Sequence, residues 1–299
     1  MNSNVTWAEA NRLAVFRAAK LMRRHDFQDS GVVDLVALAT AEGILVHFAE
    51  LPRLAGAYMA ETSTRPAGIL INNRHSWAKQ RYTLGHELGH HCFGHGTMHD
   101  ADTELIAGGA TRSTATEGSE KMAECFAPWV LMPRDLVERR VSELKASTFT
   151  SETVYDLSLM LGASYSATCL HLKDLALIAG NELRSLQTVK PKDIKRAKLG
   201  EDFTALNAVS DVHTYGSIGI EMHVRPGDLI IPPHDVTELP EQVRRLATSA
   251  GQMTRLLVLN DGVRNPSNAT QVVNLPLVTG AVKVNIHYKM RGAPECWFE

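Results

Sequence analysis

Apolar side chains recur at helical spacing from Trp7 to Leu21 (Trp7, Ala10, Leu13, Ala14, Ala18, Leu21), with Arg12, Arg17, Lys20, Arg23 and Arg24 between and beyond them. A period near 3.6 predicts a packed amphipathic helix, and Thr6 with Glu9 offers a capping box at its start. A second helix is predicted over 34–42, stopped by Gly43 where a left-handed cap belongs. Three short apolar runs come next, Ile44 to Phe48, Gly56 to Met59 and Gly68 to Ile71, and read as strands; Asn72-Asn73 closes the last with a turn signal. From Trp77 to about His95 a proline-free stretch with Tyr82, Leu84 and Leu88 on one face predicts a helix. Residues 96–118 then lose periodicity, and a connection this long inside a compact domain reads as a flap. The helical pattern resumes from 118 to 131, ends at Pro133 and restarts there to about Leu144.

Residues 152–178 place Leu157, Leu161, Ala167, Leu170, Leu172 and Leu175 around the turn Gly162-Ala163-Ser164, the spacing of a helix-turn-helix. A helix that reads DNA presents Arg, Lys, Asn or Gln. The second helix here offers Lys173, with His171 and the opposing Asp174, so a structural or substrate-docking use ranks ahead of duplex binding. The basic stretch 184–198 reads as a linker, and it lacks the interleaved aromatics that stacking on single strands wants. From His213 the texture is strand-rich: Ser217 to Val224, Asp228 to Ile231, Thr254 to Leu259, Thr270 to Val273 and Ala281 to His287, with one helix from about Pro240 to Ala250.

Composition narrows the picture. A chain of 299 residues suits two domains, and 31 basic against 33 acidic residues exclude a globally basic nucleic-acid coat. Four scattered cysteines, none in a C-x-x-C pair, exclude a disulfide framework and a cysteine-based zinc finger. No apolar run reaches the length of a secretory signal or a membrane span. The basic start has the look of a mitochondrial transit helix, but a packed first helix in a cytoplasmic protein, with no membrane partner, is the expectation.

The chemistry concentrates in one place. Five of the thirteen histidines lie between residues 86 and 99, and two of them form His86-Glu87-Leu88-Gly89-His90. Residues four apart share a helix face, so both imidazoles can converge on one Zn2+. Glu87 is one position round, its carboxylate beside the ion rather than toward it, where it can take the proton of an attacking water. Two histidines leave zinc short of a ligand. A third histidine in the H-E-x-x-H-x-x-G-x-x-H pattern is absent, because positions 93 and 96 are Phe93 and Gly96. A Glu on the next helix is the other solution. Glu120 supplies it, with Ala123 small enough for the helices to approach and Glu124 in reach of the outer N–H of a ligating histidine; the roles of Glu120 and Glu124 can also be exchanged.

In this order, strand, strand, Ile71-Asn72, then Gln80 to His90, then Glu120-x-x-Ala123 with Phe126-Ala127 and Leu131-Met132-Pro133, the sequence resembles the ImmA/IrrE family of zinc peptidases over residues 8 to about 180. Met122 and Glu124 stand where the family often has Glu and Asn, which favours Glu120 as ligand and Glu124 as its supporting acid; the 96–118 connection is longer than usual. Taken with the basic and strand-rich texture of the later residues, the resemblance leads to the expectation of an α+β chain: a zincin-like metallopeptidase domain with a small β-sheet and active-site helices (1–150), a helix-turn-helix-like segment (151–183), and, read from the residues alone, a basic linker (184–210) and a C-terminal α+β sensing or regulatory domain (211–299). It implies an endopeptidase that cuts a helix-turn-helix transcriptional repressor in a stress, mobile-element or antiviral-defence circuit, with single-stranded DNA as a candidate activator. The alternative is a metal-bound DNA- or protein-binding regulator that does not cut. Tyr82, His95 and His99 are candidate oxyanion stabilisers, His91 reads as structural, and a thiol from Cys296 in the final residues, or from Cys92 or Cys125, is a candidate inhibitory ligand.

Overall fold

The computed structural model describes residues 5–25, 31–101, 118–145, 147–200, 210–214, 221–232, 236, 238–246, 255–258, 270–277 and 280–287. They separate into two compact units, one drawn from Met1–Val137 and Leu161–His171, the other from Glu138–Met160 and Leu172–Lys289.

In the first unit α1 (Trp7–Arg24) starts on the expected capping box: Glu9 N–H donates to Thr6 Oγ1 at 3.3 Å and Thr6 N–H to the Glu9 carboxylate at 2.9 Å. Ala10, Ala14, Ala18 and Leu21 are buried along one stripe. α2 (Leu35–Ala41) is capped by Asp34, and Gly43 turns the chain at a φ of +78°. Strands β1 (Leu45–Ala49), β2 (Leu54–Met59) and β3 (Gly68–Asn72) match the predicted runs, and their sheet has the order β1-β3-β2-β4. The fourth member corrects an expectation. Met98–Ala101, assigned to a flap, forms β4 antiparallel to β2, because a sheet edge supplies backbone partners that side-chain periodicity does not announce. The rest of that segment, 102–117, lies outside the described residues.

Two helices cross this unit. α3 (Trp77–Phe93) starts at a Ser76 cap and ends at Gly94, left-handed at φ +68°. α4 (Gly118–Leu131) packs on it through small residues: a Cβ at Gly85 would lie 3.3 Å from Ala127 Cα, and one at Gly89 3.0 Å from Ala123 Cα. Two glycines and two alanines, each pair four apart, therefore set a short distance between the backbones.

α5 (Arg134–Glu143), α6 (Ser151–Leu161) and α7 (Tyr165–Asp174) come next, and Gly162 makes the α6–α7 turn at φ +62°. Tyr165, Ala167, Thr168, Cys169, His171 and Leu172 are all buried. The side left open carries Ser166, Leu170 and Lys173, of which Lys173 alone is basic.

In the second unit the expected linker is helical instead. α8 (Gly180–Thr188) and α9 (Pro191–Leu199) occupy it, because Leu186, Ile194 and Leu199 supply a buried stripe beneath the basic residues and Pro191 sits where a helix tolerates it. Short strands β5 (Val212–Thr214), β6 (Glu221–Val224), β7 (Leu229–Ile231), β8 (Val243–Leu246), β9 (Arg255–Val258), β10 (Thr270–Leu277) and β11 (Gly280–His287) make two sheets, β5-β7-β9-β8 and β10-β11-β6. β8 replaces part of the helix expected from Pro240 to Ala250: antiparallel pairing with β9 buries Val243 and overrides local propensity. A core including Met222, Val224, Leu256, Val258, Val284 and Ile286 joins both sheets. No helix among the described residues is long and apolar enough to cross a membrane.

Candidate metal centre

The short α3–α4 distance has a chemical consequence. His86 and His90 are one turn apart on α3, and Glu120 lies in the first turn of α4. His86 Nε2 stands 3.3 Å from Glu120 Oε2, His90 Nε2 3.6 Å from Glu120 Oε1, and the two Nε2 atoms 3.1 Å apart. One donor atom from each residue falls within 4.8 Å of the others, so the three can hold a metal ion. The imidazole planes meet at 70° with centroids 4.8 Å apart. Two imidazoles and a carboxylate are a donor set that suits zinc. Both histidines are buried, while the Glu120 carboxylate keeps 26% exposure. Burial works to raise the Glu120 pKa, but hydrogen bonds and charge from His86 and His90 outweigh it and hold the carboxyl well below the usual range.

Behind these three stands a supporting layer. Glu124, one turn along α4 from Glu120, puts Oε2 3.7 Å from His86 Nδ1, an ion-pair distance on the far side of that ring. Glu120 rather than Glu124 is thus the acid at the histidine Nε2 atoms. Tyr82 donates to Glu124 Oε1 at 2.8 Å and to the Glu124 carbonyl at 3.3 Å. Pro128 lies four residues after Glu124 inside α4 and has no N–H to give that carbonyl, and the tyrosine hydroxyl meets it instead. His95 Nδ1 lies 2.9 Å from His90 Nδ1, so its ring stands behind a histidine, not in front of one. Tyr82 and His95, expected from sequence as candidate oxyanion stabilisers, thus contact Glu124 and His90 respectively. The His99 side chain and Cys296 lie outside the described residues.

Glu87 is fully buried one position round from His86. Its carboxylate lies against β2: a Cβ placed on Gly56 would come within 2.8 Å of Glu87 Oε1. His91 faces elsewhere, its Nδ1 3.1 Å from the Tyr58 hydroxyl. Burial, with the Glu42 charge adding, pushes the Cys92 thiol up to about 12, so it offers no ready thiolate, and Cys125 is buried.

Sequence reasoning missed Gly56, Gly85 and Gly89. The signals were present: a glycine inside a β run, and a glycine pair at i, i+4 facing an alanine pair of the same spacing. A comparison with curated proteins finds no match. The family model described as IrrE N-terminal-like domain, a peptidase M78 family, matches residues 39–173, the stretch from the end of α2 to α7 that carries the whole cluster. Over that stretch the chain is similar to the IrrE N-terminal-like domain of that peptidase family.

Proposed function

We propose that the protein is a zinc-dependent endopeptidase in which His86, His90 and Glu120 hold the ion and Glu87 is the general base. The observation that supports this above all is the convergence of two imidazoles and one carboxylate on a common point with a second, fully buried carboxylate next to it. A zinc ion at such a site polarises a peptide carbonyl and acidifies water. Glu87 takes the proton of the attacking water and delivers it to the leaving amine. Glu124 and His95 hold the outer nitrogens of His86 and His90, fixing ring orientation, and Tyr82 holds Glu124. An extended peptide can pair with β4, which ends the sheet order next to β2.

The substrate class rests on the family resemblance: a helix-turn-helix transcriptional repressor, cut in a stress, mobile-element or defence circuit inside the cell, with single-stranded DNA as a candidate trigger. The open side of α7 carries a single basic residue, Lys173, which weighs against the non-cutting DNA-binding alternative. The test is metal content of the purified chain, together with cleavage of the helix-turn-helix protein encoded beside its gene. Wild type should carry one zinc and cut; Glu87→Gln should keep the zinc and lose cleavage by ~1,000-fold or more, as when a catalytic proton-transfer group is removed. Equal cutting by both proteins refutes the assignment.

A further inference from the structure

β2 and β4 fall out of simple register at one place. Leu54 pairs with Ala101 and Gly56 with Asp100, which leaves Ala55 as an extra residue on β2. Such a bulge bends a strand locally and re-aims the residues beyond it. The next residue is Gly56, where the sheet comes hard against α3. An added Cβ there would meet Thr83 Cγ2 at 2.5 Å, Glu87 Oε1 at 2.8 Å and the Leu70 carbonyl oxygen at 3.0 Å. Gly56 has no φ in the left-handed region, so backbone conformation does not demand glycine; the space does.

We propose that Gly56 is a positioning residue for Glu87: the bulged strand presses bare backbone against that carboxylate and so fixes where it stands relative to His86, His90 and Glu120. The inference rests on the peptidase reading and adds to it that the base is aimed by the sheet as well as by its own helix. The three clashes separate packing from aim. Thr83 and Leu70 are neighbours that any filled position would disturb, whereas Glu87 alone bears on the chemistry.

The experiment compares Gly56→Ala, Thr83→Ser and the double variant in the zinc-loaded full chain. The readouts are melting temperature, zinc content, kcat and KM on the neighbouring repressor, and binding of acetohydroxamate, a small zinc chelator whose acidic proton can be shared with the carboxylate beside the ion. Gly56→Ala should keep its zinc and KM but lose kcat by ~10- to 100-fold, the scale of an ångström's misplacement of a reacting group. It should also bind acetohydroxamate about tenfold more weakly, in line with one charge-assisted hydrogen bond spoiled. Thr83→Ser should cut like wild type. The double variant, relieved of the worst contact, should recover its melting temperature and not its kcat. Recovery of kcat along with stability would overturn the proposal, as would an unchanged kcat in Gly56→Ala. Loss of the fold in both Ala-bearing variants would show that packing alone requires the glycine, and would overturn it too. A wild type that cuts no better than Glu87→Gln would instead remove the peptidase reading itself.

Discussion

Two clusters of buried polar groups, one in each unit, are alike in composition and differ in how they end. In the second unit Tyr155, Asp211, His213, Arg225 and Asp228 form a closed set. Asp228, fully buried, accepts from His213 Nε2 at 3.0 Å, Asp211 N–H at 3.1 Å and Arg225 N–H at 2.9 Å. Arg225 also pairs with Asp211, which accepts from the Tyr155 hydroxyl at 2.9 Å. Burial works against the Arg225 charge, but Asp228 and Asp211 more than offset it and raise its pKa. Every strong group there faces its complement. In the first unit donor atoms of His86, His90 and Glu120 gather at a common point, with Glu124 3.7 Å from the outer nitrogen of His86 and His95 2.9 Å from that of His90. A closed network stabilises a fold; a convergent one with support behind it is built to hold something.

The sharpest way to break that distinction is to remove one member of each. Asp228→Ala strands the His213 and Arg225 donors, and breaking a buried pair in this way costs about 3–5 kcal/mol; urea melts should show that loss with zinc content unchanged. His90→Ala should do the reverse, abolishing stoichiometric zinc with a far smaller change in the metal-free melt. If His90→Ala retained its zinc, or Asp228→Ala shed it, the two clusters would not differ as argued.

The motif half of this distinction was legible in the sequence. An i, i+4 histidine pair needs only a helix to converge, and Tyr82, Leu84 and Leu88 announced that helix. Glu120 was legible because it opens the next helical pattern. The closed network was not, since Tyr155 and Asp211 are 56 positions apart and meet only after α6 and β5 have formed. The same limit hid β4 and turned β8 into an expected helix: strand pairing depends on a distant partner, and neither Met98–Ala101 nor Val243–Leu246 alternates cleanly enough to announce one. At 184–198 the density of charge masks Leu186, Ile194 and Leu199, the buried stripe that makes two short helices of an expected linker.

The distance between α3 and α4 offers a second test. Gly89→Ala puts a methyl 3.0 Å from Ala123 Cα and 3.1 Å from Phe126 Cβ. Overpacking of this kind costs about 1–3 kcal/mol, and because it pushes apart the helices that carry the ligands, zinc affinity should fall with it. The same methyl at Gly94, with open space around it but a φ of +68°, should lower stability and leave zinc affinity alone. A Gly89→Ala variant with wild-type zinc affinity would mean that the ligands do not depend on that close contact. Smaller again is Glu124→Gln. Loss of an outer partner of a metal-binding histidine costs about 10-fold or more in affinity, so competition with a chelator should show weaker binding at unchanged stoichiometry. Loss of stoichiometric zinc would instead make Glu124 a ligand.

The smallest effect concerns a cluster that lies in the first unit yet belongs to the closed type. Glu42 takes both carboxylate oxygens to Arg24 Nη1 at 2.8 Å and also meets His25. Burial acts to raise its pKa, but the hydrogen bonds from His25 and Arg24 outweigh that and hold it below its ordinary value. A carboxyl lowered in the folded state stabilises the fold at pH values above its unfolded pKa, roughly 4.3, and the contribution is lost as pH falls through the folded value. Glu42→Gln should therefore be less stable than wild type at pH 7, and the gap between them should close as the pH is taken below about 4, with zinc affinity at neutral pH unchanged in both. A gap that did not vary with pH would mean that Glu42 acts through packing rather than charge. A loss of zinc affinity would be more damaging, because it would show that a closed cluster in this unit feeds the convergent one, and that the separation between holding the fold and holding the ion is not clean.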